Sequence, residues 1–450
     1  MIQGPLFGSI VSYTVPIILT SVLQLLFNAA DLVVVGRFCG SISVAAVGAT
    51  GAITNLIVNL FIGLSVGGGV SMAHAIGSRN QEAMHRTVHT VLPTALVSGL
   101  VLTVVGVSFS ETFLRWMDTP ENVLRLSAQY MRIYFCGITF TMVYNFSAAI
   151  LRAAGDTKSP LIYLTIAGVA NVVMNLFFVT VLHMNVAGVA LATTLSQGIS
   201  AVLVVRNLMK TNEAWRFRPR CMRFYKEPLV KLLTLGLPAG IQNSLFSISN
   251  VMIQSSVNSF GEILMSGNAA AGNIEGFVYT SMNAFHQTAL NFVGQNVGAG
   301  QYKRVKKIYS ICLGCVTVVG MVLGGLAYAF GPQLLSIYIT DSQEAISWGV
   351  IRLGFIALPY FVCGLMDVTT GVLRGLGVSV PPMLISVLGI CGIRIGWIAT
   401  IFQIPQFHTP QSLYISYLFS WAVTFLAQYI AYRIAYPKKR KAYERLTAQA

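Results

Sequence analysis

The chain has 450 residues, is 55% hydrophobic and 10% charged, and has a mean hydropathy of +0.70. Soluble domains carry about 25% charged residues, so this charge cannot cover a water-soluble body of such size, and a cytosolic enzyme is excluded. The formal net charge of +15 would suggest a polyanion partner in a soluble protein; in so apolar a chain it reports membrane topology, and no nucleic-acid partner is expected.

A membrane-spanning helix needs about 20 predominantly apolar residues. Twelve runs qualify: 10–36, 45–73, 88–109, 126–150, 160–182, 187–208, 231–257, 264–293, 308–330, 346–371, 381–403 and 413–435. None alternates with the period of a barrel strand. The expectation is an all-α integral membrane protein with twelve transmembrane helices. The first run is too long for a signal peptide and lacks a basic flank, so it is read as a span. It carries Pro16 early and Asp31 late. Span 2 contains Gly63-x-x-x-Gly67-Gly68-Gly69 without the Lys-Ser/Thr of a phosphate loop, which favours close helix packing. His85 and His89 are four apart but lack the glutamate of a zinc-protease motif. Span 4 carries Asn145. Asn171 and Asn175 share one face of span 5, and Thr193 opens span 6.

The polar stretch Lys210–Lys231 follows. Beyond it, span 7 presents Gln242, Asn243, Asn250 and Gln254, and span 8 presents Asn283, Gln287 and Asn291. Asn243, Asn250 and Gln254 are spaced seven and four, and Asn283, Gln287 and Asn291 four and four, which draws polar stripes that suit a water-filled cleft better than a lipid face. Cys312 and Cys315 in span 9 have no second ligand pair, and an odd count of seven cysteines gives no disulfide framework. Span 10 carries Asp367 and span 11 Arg394. The closing run Lys438-Lys439-Arg440-Lys441 reads as a topological and anionic-lipid anchor.

Twelve spans place both termini on one side. If that side is cytoplasmic, its loops and span ends hold twenty-three of the 29 Lys and Arg residues, as the positive-inside rule requires. Six of the 14 acids, Glu111, Asp118, Glu121, Glu262, Asp341 and Glu344, fall in outside loops. A multi-pass plasma-membrane protein with cytoplasmic termini is expected. The halves repeat at an offset near 222: Pro16 pairs with Pro238, and the segment Leu151–Pro160 pairs with Leu373–Pro382 at four identities and a Thr/Ser match. Six spans per half make the repeat parallel, an arrangement of transporters that alternate access. The expected division is an N-lobe at 1–209, a linker at 210–230, a C-lobe at 231–436 and a basic tail at 437–450.

Three carboxylates remain in or beside spans: Asp31, Glu275 and Asp367. An ionised group in hydrocarbon costs about 2.5–3.5 kcal/mol on insertion scales, so function is the default hypothesis. Asp31 lies among apolar neighbours; the competing reading is a structural hydrogen bond or a partnership with Arg37. Asp367 is the repeat equivalent of Asn145, and is either a coupling or substrate charge or a partner of Arg394. Glu275 is either a site residue or a snorkelling surface acid. His286 is either a proton carrier or a hydrogen-bonded core histidine.

Several motifs carry a family resemblance. They are Asn28–Asp31 through Val35–Arg37, Gly294–Gly300, Leu151–Pro160 with its partner Leu373–Pro382, and Gly188–Thr193. In order and coverage the chain resembles the multidrug and toxic compound extrusion (MATE) family, and within it the DinF-like prokaryotic branch. The resemblance implies a V-shaped pair of six-helix lobes. It implies a secondary active antiporter that exports organic, cationic or amphiphilic compounds in exchange for Na+ or H+. It aligns Asp31, Asn145, Asn171, Asn175 and Thr193 with the branch's N-lobe cation site, with Na+ on Asp31, Asn171 and Asn175. Hard oxygen donors of this kind suit such an ion. One departure stands out: Asn175 occupies a position where the family pattern often has a second aspartate, which lowers the formal charge of the site and leaves proton coupling open. In the C-lobe, Asp367, His286, Glu275, Asn250, Gln254, Asn283 and Gln287 are the candidates for coupling or substrate contact. No cofactor beyond the coupling ion is expected, nor an enzymatic activity, and the expected partners are small organic substrates and the bilayer, with the protein a monomer. The alternative function is a flippase for a lipid-linked sugar precursor, which would need a basic cavity built from residues such as Arg132, Arg352 and Arg394.

Overall fold

The computed structural model describes residues 1–340 and 342–449. Asp341, one of the acids assigned to an outside loop, and Ala450 lie outside the described residues. Described residues form helices and connecting turns, without strands. In chain order the helices are α1 (Leu6–Phe38), α2 (Ser41–Gly77), α3 (Gln81–Trp116), α4 (Glu121–Ala154), α5 (Lys158–Leu176), α6 (Asn185–Lys210), α7 (Lys226–Asn258), α8 (Glu262–Gly298), α9 (Tyr302–Ala329), α10 (Gly331–Ser336), α11 (Gln343–Phe355), α12 (Tyr360–Gly375), α13 (Val380–Ser386), α14 (Ile393–Ala399) and α15 (Pro410–Gln449). Wider π-helical turns extend α5 over Phe177–Val181 and join α13 to α14 over Val387–Gly392.

Nine helical spans among the described residues are long and apolar enough to cross a membrane, and α11 with α12 makes a tenth crossing bent by 47°. The break falls at Pro359, whose ring and missing N–H prevent a continuous helix. Its repeat equivalent in the unbroken α4 is Gly137. The remaining two crossings are α7 and α8, of 33 and 37 residues. At about 1.5 Å per residue each exceeds the ~30 Å hydrocarbon core. They are less apolar because their Asn, Gln, Ser and Thr stripes dilute them. Large apolar side chains such as Val33, Val104, Val202 and Leu388 stay exposed on spans, as expected where hydrocarbon replaces water. The basic tail is no separate segment: α15 runs through Pro437 to Gln449.

Two compact units emerge, Leu19–Gly240 and Met1–Ile18 with Ile241–Ala450. The packing therefore divides the chain differently from the sequence repeat. Both α1 and α7 are split between units, at repeat-equivalent points two residues beyond Pro16 and Pro238. In the first unit, the opening turns of α7 lie backbone to backbone on α2. A Cβ on Gly63 would run into Gly240, and one on Gly236 would come within 2.6 Å of the Leu64 Cα. The glycine pattern of span 2 thus makes a close helix contact, as small-residue interfaces do. In the second unit, Ile10, Tyr13 and Ile17 of α1 pack with Phe285, Ala289 and Phe292 of α8. The Thr14 and Thr288 hydroxyls meet there at 2.8 Å.

The linker after α6 is pinned to α3. The backbone N–H of Arg218 donates to His89 Nε2 (3.0 Å) and that of Arg223 to the His89 carbonyl (3.2 Å). Nδ1 of the same ring faces the His85 carbonyl at 2.8 Å, which makes it the protonated nitrogen. His85, His89 and Cys221 cluster within 4.8 Å, but both His89 nitrogens are already committed to protein.

Candidate cation-coupling site

Asp31 reaches its partners because α1 approaches α5 closely. Gly168 permits this: a Cβ there would collide with the Phe27 ring. One turn further along each helix, Asp31 meets Asn171 and Asn175, both almost completely buried. In an α-helix their backbone groups are already paired, so the amides are free to serve a neighbouring helix. Asn175 donates to Asp31 Oδ1 and, at 3.2 Å, to Asn171 Oδ1. Asn171 donates to Thr193 Oγ1 (3.4 Å), and Thr193 Oγ1 lies 3.3 Å from Asp31 Oδ2. The four side chains close a ring drawn from α1, α5 and α6. Val34, Val35, Val179 and Val189 form the apolar cluster beside it, with Tyr130 packed against them.

Donor arithmetic makes this ring adjustable. The carboxylate accepts from both sides, as an ionised acid can. Thr193 has a single hydroxyl hydrogen but two acceptors in reach, Asp31 and, at 3.0 Å, its own helix carbonyl at Val189. The buried Oδ1 of Asn175 has no hydrogen-bond partner among the described residues. An orphaned buried oxygen is unusual, and beside a carboxylate it is a donor available to a cation. Asn145 lies outside the ring; its amide donates to the Thr141 carbonyl of α4 at 2.8 Å.

In the second unit the polar candidates fall into two clusters. Glu275 is buried at 5% exposure and accepts two 2.8 Å hydrogen bonds from Arg352. It is therefore an internal ion-paired acid and not a snorkelling surface one, because α11 brings a guanidinium to it. Arg352 also donates to Asn268, which receives the Tyr414 hydroxyl (3.2 Å) and donates to Gln254 (3.3 Å). The second cluster centres on Asp367. Its backbone carbonyl receives Nδ1–H of His286 at 2.7 Å, while its Oδ2 is buried without a partner among the described residues. Arg374 is the nearby positive charge and donates to Gln242 at 2.9 Å. Tyr279 lies beside the same carboxylate. Arg394 is occupied elsewhere, by Ser420 at 3.0 Å and the Tyr417 ring at 4.0 Å. Asn250 is exposed, and the Gln287 carbonyl accepts from Asn291 at 2.9 Å.

A sequence model described as MatE matches residues 16–177 and again 238–398. The chain belongs to the MatE family. The double match falls on the two halves of the internal repeat. Among curated MatE-like relatives, the probable multidrug resistance protein YoeA of Bacillus subtilis is 29% identical over 95% of this chain and 94% of its own length. YpnP of the same organism, also described as a probable multidrug resistance protein, is 28% identical over 94% and 95%. A solved structure of a MOP superfamily transporter from Pyrococcus furiosus, titled as having a binding pocket of reverse polarity, superposes with a TM-score of 0.89 at 20% identity over 98% of both chains. At that identity it establishes a shared two-lobed fold.

For this MatE protein, the sequence flagged the acids better than their partners. Arg352 was weighed only for a basic cavity, and Asn268 and Arg374 were not assigned to a site. A signal for Arg352 did exist, since an intramembrane cation needs a counter-charge. All three arginines weighed for a basic cavity are engaged: Arg132 pairs with Glu111 at 3.4 Å, Arg352 with Glu275, and Arg394 with Ser420 and aromatic rings.

Proposed function

We propose that this protein is a secondary active antiporter that exports organic, cationic or amphiphilic compounds in exchange for Na+ or H+. The observation that carries the reading is the closed ring of Asp31, Asn175, Asn171 and Thr193 around one intramembrane carboxylate. The names of the relatives, which are multidrug resistance proteins, support the substrate class. In the empty state the ring places Asn175 against Oδ1 of Asp31 and Thr193 against Oδ2. A sodium ion would take the carboxylate and the unpartnered Asn175 oxygen as ligands, and the amides and the Thr193 hydroxyl would turn to suit. A proton on Asp31 would instead convert an acceptor into a donor facing other donors, and the Asn175 amide must then present its oxygen. Either event alters how α1 is held against α5 and α6. A two-state change there biases alternating access, and by linkage the ion and the substrate must each change the other's affinity. The proposed orientation puts both termini in the cytoplasm, following the basic loops.

The test is ethidium efflux from proteoliposomes under a Na+ gradient and a pH gradient imposed separately, with wild type and Asp31→Asn. One gradient should drive export by wild type, and the variant should fall to background while remaining folded. Wild-type export by Asp31→Asn would overturn the role of this carboxylate.

A further inference from the structure

A cavity of about 430 Å³ opens on the side of the second unit, between the first turns of α1 and the middle of α9. Its walls include Phe7, Val11, Val15, Ile311, Gly314 and Val318. It is apolar throughout, apart from Thr14 and the Cys315 thiol, and the Thr14 hydroxyl is already bonded to Ile10 and Thr288. Along α9 the lining runs from Ile311 to Val319, about 12 Å of helix.

The same helical face continues into charge. Lys307 lies four residues before Ile311 and Arg304 seven before it, so both project along the cavity side of α9. Lys307 is exposed. Among the described residues, Arg304 donates only to backbone carbonyls, those of Met1 and Gly4 at 3.3–3.4 Å, and its buried Nε has no partner. Neither cation takes part in an ion pair among the described residues. Neither α9 nor residues 1–18 contain any Asp or Glu. An uncompensated pair of cations thus caps an apolar slot at the end of α9 that the proposed orientation assigns to the cytoplasm.

We propose that this slot binds one anionic glycerophospholipid of that leaflet, with an acyl chain between α1 and α9 and the phosphate at Arg304 and Lys307. Charge complementarity selects the occupant. A zwitterionic lipid fills the slot equally well but leaves the two cations without net counter-charge, whereas anionic headgroups are drawn to such clusters. Because α1 is split between the two units, the lipid would sit against one end of a helix whose other end carries Asp31.

Native mass spectrometry of the full-length protein, with matched amounts of dioleoylphosphatidylglycerol and dioleoylphosphatidylethanolamine, tests this. Wild type should retain one phosphatidylglycerol with a preference of about tenfold. Lys307→Gln, at an exposed position, should reduce that preference, and Arg304→Gln with Lys307→Gln should abolish it. Gly314→Phe should weaken retention of both lipids by filling the slot, since a Cβ at Gly314 meets nothing within 4 Å. Replacing Lys438 and Lys439 by Gln should leave the preference intact. Equal retention of the two lipids by wild type overturns the proposal, as does a preference that only the tail variant removes. Circular dichroism and a thermal midpoint on each variant separate lost binding from lost fold.

Discussion

Glu275 and Arg352 face each other across α8 and α11 through two parallel hydrogen bonds of 2.8 Å, with side-chain exposures of only 6% and 10%. Removing one partner strands a buried charge, whereas replacing both with apolar groups need not. Glu275→Ala should therefore destabilise the protein by about 3–5 kcal/mol. Glu275→Leu combined with Arg352→Met should recover most of that loss. Thermal unfolding in detergent is the measurement, and equal destabilisation by the single and double variants would count against this account.

The ring around Asp31 makes a different prediction about ion choice. Asn175→Asp adds a second carboxylate directly beside the first. Two adjacent acids cannot both stay ionised without a cation between them. Export by this variant should become more dependent on Na+, or its proton dependence should change, relative to wild type. Dye efflux measured against Na+ concentration at fixed pH would show the shift; identical ion profiles would argue against direct coordination by position 175.

Much of this site was legible in the sequence, and the reasons are physical. Charge is so costly in hydrocarbon that a lone Asp31 in an apolar run draws notice. Helical periodicity put Asn171 and Asn175 on one face, and the structure joins them to Asp31 and Thr193. Asn145 illustrates the limit: alignment supplied it, but a side chain can be satisfied by its own helix, and Asn145 is. Pair partners on different helices, such as Arg352 for Glu275 and Gln242 for Arg374, depend on tertiary packing and leave no mark in local spacing. The break at Pro359 was likewise hidden inside an uninterrupted apolar run, since apolarity records the solvent and not the straightness of the helix.

The contact of α2 with α7 depends on missing side chains. A Cβ at Gly236 would lie 2.6 Å from the Leu64 Cα, and backbone cannot yield as a side-chain tip can. Gly236→Val should cost about 1–3 kcal/mol through overpacking. Gly48→Ala, in the same α2 but facing open space, should be neutral or slightly stabilising. Thermal midpoints of the two variants, compared with wild type, check this directly.

The linker latch predicts a change in protease sensitivity. His89 receives the Arg218 N–H and its ring lies beside Phe217, at 5.6 Å between centroids. His89→Ala removes both holds, and local opening exposes backbone to proteases. Trypsin should cut after Arg216, Arg220 and Arg223 several times faster in this variant than in wild type, with the transmembrane portion still resistant. Unchanged cleavage kinetics would show that other contacts hold the linker.

The division of α1 between units imposes an order on biosynthesis. Thr14 finds its partner Thr288 only after 274 further residues exist. Ile10, Tyr13 and Ile17 wait as long for Phe285 and Phe292. Such distant contacts are slow to form, so the first turns of α1 leave the ribosome without their packing surface. Until the eighth span arrives, lipid or an insertion partner must cover them. Two polypeptides made by cutting at the linker would each carry a helix segment that belongs in the other, so they should accumulate only when produced together.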